Sequence, residues 1–283
     1  FKTAPEPNQP VSFAFLGDTE ARPFINRMLG DAIWGERPDL LLLLGDLTDG
    51  GMATRRYEWT HEFFPGIGAL GARIPVVAAA GNGEADLKWF GHYNILPNDK
   101  SYYNVRFGDV EFIVLDSNLK DREREQPGFR DRQIDFLEAT VSASDAKWKV
   151  VLHHHPIYTA DENDYGDTWR LRVQVEGDPQ ARKDWLKVYE GLNVDLVLYG
   201  HLHFYERTRP MYQGRVSSDH GIVYVGSGGG GGGLEDFAPT RRTYTKKAFR
   251  GFHYGLVDVE GDHLNIEVRD LDGRLRDTFT ISK

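Results

Sequence analysis

The chain of 283 residues carries a net charge of −9 and no cysteine. The acidic balance argues against a surface built for nucleic acid or an anionic membrane, and the lack of cysteine excludes disulfides, thiolate metal sites and a cysteine nucleophile. At 40% hydrophobic it has core enough for one large α/β domain or two small ones, and no stretch reaches the roughly 18 apolar residues of a membrane span.

Residues 1–10 hold three prolines and read as an extended arm. The segment Val11–Leu16 reads as a strand and runs directly into Gly17-Asp18-Thr19-Glu20. Pro23 is placed for the first turn of a helix to about Gly35, with Phe24, Met28 and Ala32 at helical spacing. The leucine run 39–44 is a second buried strand ending in Gly45-Asp46, followed by Asp49-Gly50-Gly51. A helix is expected over 54–64, then a third strand over 74–80 that ends in Gly81-Asn82-Gly83-Glu84. Segments 101–107 and 110–115 pair across the Gly108-Asp109 turn. An amphipathic helix over 129–141 precedes a strand, 148–152, that runs into His153-His154-His155-Pro156. Next come an acidic loop at 161–167 and a helix over 181–191 carrying Trp185, Val188, Tyr189 and Leu192 on one face. The apolar run 194–199 stops at Gly200-His201-Leu202-His203. Beyond it the character turns to β, with a strand at 222–225, six glycines at 228–233, and an antiparallel meander over 252–259, 263–269 and 274–281 turned at Asp272-Gly273. With no internal repeat and no composition break, residues 11–283 read as a single layered domain.

Five strand ends carry polar residues of metal-binding type: Asp18, Asp46, Asn82, His154 or a neighbour, and His201 with His203. One strand ending in Gly-Asp usually means a turn. Five in one chain exceed what turn chemistry accounts for, and open α/β sheets gather such ends at one rim. The donors are all oxygen and nitrogen, which suits manganese, iron or zinc.

The order Gly-Asp, Gly-Asp-x-x-Asp, Gly-Asn-x-Glu, His-His-Pro, Gly-His-x-His resembles the calcineurin-like metallophosphoesterase superfamily. The stretch Gly200–Arg207 most resembles its purple acid phosphatase branch, and Tyr102-Tyr103, Phe112–Asp116, Gln133 and the segment from Tyr224 through the glycines agree. The resemblance spans roughly residues 11–281. It implies an α/β fold, a four-layer α/β/β/α sandwich of two mixed sheets flanked by helices. It implies two metal ions of uncertain identity (iron, manganese or zinc). Asp18 and His203 would bind the first, Asn82, His154 and His201 the second, and Asp46 both. His153 would point into the sheet and His155 could face the substrate. The implied activity is hydrolysis of small phosphate esters, monoesters foremost, by metal-activated water. A phosphodiesterase is the enzymatic alternative, and a metal- and phosphate-binding protein without turnover is the other. Nucleic acid is not an expected partner, the oligomeric state is left open, and secretion or a periplasmic location is implied.

Three positions depart from the family pattern. Glu20 stands where many relatives have a histidine, and could be a further ligand or a helix cap. Asp49 stands where the purple enzymes have a tyrosine, and could reach a metal through water or satisfy a turn. Gly83 replaces the histidine that contacts the substrate phosphate and assists the leaving group. A positioned acid of that kind is worth about 10²–10⁴ in rate. His155, His92 and Arg22 are candidates to take over, with Glu84, which completes the box, as a further catalytic or substrate-binding candidate. If only the acid is missing, Gly83→His should restore activity. The glycine run either hugs the rim or forms a loose loop, residues 161–169 could form a lid, and the basic stretch from Arg241 to Arg250 reads as solvated surface.

Overall fold

Each apolar run that stops at a polar turn forms a strand in the computed structural model, which describes residues 4–84, 86–160, 179–217, 220–238 and 241–283. The first half contributes β1 (Val11–Leu16), β2 (Leu40–Leu43), β3 (Val76–Ala78), β4 (Tyr103–Phe107), β5 (Val110–Val114), β6 (Trp148–Leu152) and β7 (Leu196–Tyr199). The second half contributes β8 (Tyr205–Thr208), β9 (Met211–Tyr212), β10 (Arg215–Val216), β11 (Val223–Ser227), β12 (Thr245–Phe249), β13 (His253–Glu260), β14 (His263–Asp270) and β15 (Leu275–Ser282). One sheet runs β15-β14-β13-β1-β2-β3 and the other β12-β8-β11-β7-β6-β5-β4, with β9 and β10 as a small ribbon. Strands β1 to β3 are parallel, as are β5, β6, β7 and β11, so their carboxyl ends point the same way within each sheet.

Alternation along the strands builds the layers. Phe13, Phe15, Leu40 and Leu42 face inward onto Phe112, Val114, Val150 and Leu152 of the other sheet. Their neighbours Ala14, Leu16, Leu41 and Leu43 face outward onto Ile25, Leu29 and Ile33 of the helix Pro23–Glu36. On the far side Ile113, Val151 and Val197 pack against Leu137, Val141 and Trp185 from the helices Phe129–Ala143 and Pro179–Gly191. Three apolar interfaces thus separate four layers, helix, sheet, sheet, helix. A buried clasp closes the sandwich. Arg207 on β8 grips Asp277 on β15 through two hydrogen bonds of 2.7 and 3.0 Å, and the Tyr205 hydroxyl donates to the same carboxylate at 2.9 Å.

Some expectations change. The helix over 23–36 forms, but it buries Ile25, Leu29 and Ile33, while Phe24 and Met28 are 65% and 50% exposed. The aliphatic stripe at i, i+4 and i+8 faces the sheet, and the aromatic-led stripe faces water. The helix expected over 54–64 is broken: Arg56–Glu58 passes into a π-helical turn, Trp59–Phe63, before Phe64–Gly66. Pro65 lacks the N–H that would carry the α ladder through this region. The arm docks on the β4–β5 turn, with Gly108 N donating to Pro5 O and Asn8 N to Asp109 Oδ1, both at 3.0 Å. The lid expected at 161–169 lies outside the described residues. Among the described residues no helix is long and apolar enough to cross a membrane.

Candidate metal centre

The turns after β1, β2, β3, β6 and β7 meet at one rim. Three residues there hold left-handed backbone: Asp18 (φ 59°), Asp46 (φ 48°) and His201 (φ 74°). Such values are uncommon outside glycine, though Asp and His tolerate them better than most, and they turn each side chain back across the strand end. The two sheets are stitched together at this point. Gly17 N donates to Ser227 O at 2.8 Å, and His201 N reaches both Asp18 oxygens at 3.0 Å. Gly45 has φ 89°, and a Cβ there would sit 2.5 Å from His154 Nδ1. Only glycine lets the His154 ring lie this close to the β2 turn.

Four side chains converge. His154 Nε2 lies 3.0 Å from Asn82 Oδ1, 3.2 Å from Asp46 Oδ2 and 3.2 Å from His201 Nδ1, and His201 Nδ1 lies 3.0 Å from Asn82 Oδ1. His154 Nδ1–H donates to Leu44 O at 2.9 Å, which fixes the ring and aims Nε2 into the cluster. Among the described residues, Asp46, His154 and His201 are the group of three that brings one ligand atom each within 4.8 Å of one another.

A looser group lies alongside. His203 Nε2 is 3.4 Å from Asp18 Oδ1 and 3.5 Å from Glu20 Oε1. Its Nδ1–H donates to Gly233 O at 2.8 Å, and its backbone N–H to Glu235 Oε2 at 2.9 Å. The glycine run packs against the rim as buried backbone. Gly230 N donates to Gly17 O and Gly232 N to Asp18 O, at 2.9 and 3.0 Å.

The electrostatics fit a cation. Burial pushes Asp18 above the usual carboxyl range, outweighing the hydrogen bond from His203, and with the charge of Asp46 pushes Glu20 up to about 9. Burial also acts on Asp46, but the His154 charge and hydrogen bonds from His154 and Gly83 leave it below its usual value. Burial disfavours charge on His154 and His203, yet the neighbouring Asp46 and Asp18 carboxylates override it and push both rings up to about 10. His201 goes the other way, to about 3, through burial and the His154 charge. Protons thus occupy lone pairs that a metal would take, in a set of carboxylate, amide and imidazole donors suited to manganese, iron or zinc.

The remaining candidates separate by position. His155 is half-buried at the rim, its ring 4.5 Å from that of His201, and Ser117 Oγ both accepts its backbone N–H and sits 2.8 Å from its Nδ1. Burial, with the charge of His154, holds it neutral. Arg22 is pinned to the glycine run, donating to Gly231 O at 2.8 Å. Asp49 is exposed, and its backbone N–H donates to Glu62 at 3.1 Å. His92 packs on Trp89 and Tyr93 and lines a cavity with Ile95, Lys100 and Tyr102, which none of the ligand-type residues line. Glu84 does not face the rim. It is fully buried, and its two oxygens accept the backbone N–H groups of Asp46, Leu47, Thr48 and Gly81 at 2.7–3.3 Å. It clamps the β2 turn to the β3 turn. His153 points away, stacked among Trp185, Tyr189 and Tyr199.

Gly83 is a packed position. Its N–H donates to Asp46 Oδ1 at 2.6 Å, and a Cβ would strike the Thr48 carbonyl oxygen and lie 3.0 Å from Asp46 Oδ1. Sequence reasoning missed Glu235, which follows the glycines by two residues, and Asn118, whose amide donates to Gly81 O at 3.2 Å and props the Asn82 turn. Neither carries a local motif.

The sequence profile of the calcineurin-like phosphoesterases matches residues 11–205, from β1 to the start of β8. The chain belongs to that family. Its relatives are purple acid phosphatase-like. An Arabidopsis thaliana protein named "Probable inactive purple acid phosphatase 1" is 29% identical over 200 residues, 65% of this chain and 30% of that one. A Hordeum vulgare protein named "Nucleotide pyrophosphatase/phosphodiesterase" is 25% identical over 281 residues, 87% of this chain and 72% of that one. Among solved structures, a purple acid phosphatase from yellow lupin seeds superposes with a TM-score of 0.82 at 23% identity, over 99% of this chain and 55% of that one. The match therefore spans under a third of the Arabidopsis protein, and the chain about half of the lupin one.

Proposed function

We propose that the protein is a phosphatase that hydrolyses small phosphomonoesters at a pair of metal ions. Asp18, Asp46, Asn82, His154, His201 and His203 would hold the ions, with Glu20 as a further ligand. The convergence of Asn82, Asp46 and His201 on His154 Nε2, at 3.0–3.2 Å, carries this reading. When bound, such ions supply Lewis-acid polarisation of the phosphoryl group and a water of lowered pKa. The chain's own part is orientation and proton handling. Neutral His155 can donate a hydrogen bond to a phosphate oxygen, and Arg22 brings a cation to the mouth. Position 83 offers no acid, so substrates whose leaving group departs unprotonated are favoured. Export from the cell belongs to the same reading.

The packing at Gly83 favours a second reading, a metal- and phosphate-binding protein with little turnover. Protein stripped with chelator and reloaded with manganese, iron or zinc separates the two. Metal-dependent hydrolysis of p-nitrophenyl phosphate supports the phosphatase. Turnover of bis-p-nitrophenyl phosphate alone turns the reading to a phosphodiesterase, and full metal occupancy with no turnover turns it to the binder. Failure to retain any metal refutes all three.

A further inference from the structure

We infer that the cavity walled by Arg241, Arg242, Lys246 and Lys247 is a second anion subsite, which holds a further phosphate of a substrate whose reacting phosphoryl group lies at the rim. The inference rests on the phosphatase reading and narrows its substrates to compounds with more than one phosphate. The cavity measures about 350 Å³, and among the described residues no carboxylate is in its walls, in a chain of net charge −9. Arg241, Lys246 and Lys247 are exposed and form no ion pair among the described residues. Thr245, only 6% exposed, also lines the cavity, and its hydroxyl has no hydrogen-bond partner among the described residues. A buried, unpaired hydroxyl is a cost that a bound anion removes.

The local backbone explains the convergence of charge. β12 is an edge strand, where a lysine can serve only to block pairing with another chain. That role needs no buried hydroxyl beneath it. Successive strand residues normally point to opposite faces. Here the register with β8 shifts between Thr245 and Lys247, and Thr245, Lys246 and Lys247 all line the same cavity. One short segment ties the cavity wall to the rim. Glu235 accepts the His203 backbone N–H, Phe237 packs on Phe204 with ring centres 5.6 Å apart, and Ala238 lines the cavity and donates to Ala160 O at 2.9 Å. From Glu235 to Ala238 the chain can span at most about 10 Å. A substrate with phosphates at separated positions, or the two ends of a polyphosphate chain, can bridge a gap of this size.

The test uses the full chain stripped of metal, so that binding reports the cavity and not the rim. Calorimetric titration with inorganic tripolyphosphate at low salt should show binding. Lys246→Glu with Lys247→Glu should weaken it at least tenfold, and Thr245→Val severalfold, with unchanged circular dichroism. In reloaded protein, the ratio of kcat/KM for tripolyphosphate to that for p-nitrophenyl phosphate should fall at least tenfold in the double variant. Equal binding by the double variant, no binding by the wild type, or an unchanged kcat/KM ratio in the reloaded double variant would overturn the inference. If reloaded protein hydrolyses no ester, the phosphatase reading fails, and the titration still decides the subsite.

Discussion

Gly83→His puts an imidazole back at the position of the missing acid, but the structure predicts a loss. The new Cβ meets the Thr48 carbonyl oxygen, a backbone atom that cannot be trimmed, and lies 3.0 Å from Asp46 Oδ1. Overpacking of this kind costs about 1–3 kcal/mol. The Gly83 N–H also holds Asp46 Oδ1 at 2.6 Å, a bond to a charged acceptor worth about 1.5–3 kcal/mol, and any shift of the turn weakens it. With Asp46 as a ligand in the proposed centre, a loss of about 1.4–2.8 kcal/mol at its carboxylate would lower metal affinity ten- to a hundredfold. Competition against a chromophoric chelator measures that affinity, thermal denaturation measures the strain, and p-nitrophenyl phosphate hydrolysis measures catalysis. A Gly83→His protein that binds metal like the wild type and hydrolyses the ester 10²–10⁴ times faster, about the range of a positioned acid, would refute the reasoning.

Metal binding at neutral pH should release protons, because His154 and His203 sit near pKa 10 and Glu20 near 9 before the metal arrives. Affinity should therefore rise with pH, and a flat profile between about pH 6 and 9 would contradict the assigned ligands. His253, buried and pushed down to about 4, stays neutral in the fold while the unfolded chain protonates near 6.5. Its contribution is fully present above pH 6.5 and falls by about 3 kcal/mol as the pH drops to 4. Urea unfolding of His253→Gln should show a shallower loss over that window than the wild type. Glu84→Ala leaves the N–H groups of Asp46, Leu47, Thr48 and Gly81 without their acceptor, a loss of about 3–5 kcal/mol that a lowered melting temperature would register. Iron-loaded protein should lack a strong tyrosinate band in the visible spectrum, since position 49 is aspartate, and a purple sample would show that another tyrosine has taken the place.

What the sequence displays well is punctuation. Four of the five rim strands are apolar runs cut off by glycine and a donor residue, so Asp18, Asp46, Asn82, His201 and His203 stand out by their places, while the choice of His154 within its triplet comes from the family resemblance. Other features depend on partners distant in the chain. The buried face of the helix Pro23–Glu36 is set by which stripe meets β1 and β2, and two apolar stripes compete in its sequence. Glu84 looks like part of a catalytic box, yet its role comes from four backbone N–H groups on two turns. The packing around Gly83 involves a carbonyl on the Thr48 loop, which no local pattern discloses. Lys246 and Lys247 read as ordinary surface until the β12 irregularity places both beside Thr245.

The donor residues divide evenly between the halves of the sandwich. Asp18, Asp46 and Asn82 follow strands of one sheet, and His154, His201 and His203 follow strands of the other. An ion held there is a rivet through the seam where the sheets meet. At a hundred times its dissociation constant it would add about 2.7 kcal/mol to the folded state, comparable to the loss of a large core side chain. Chelation would then loosen the whole domain as well as emptying a site. A protein that holds ions there would gain stability from all six residues, with or without hydrolysis.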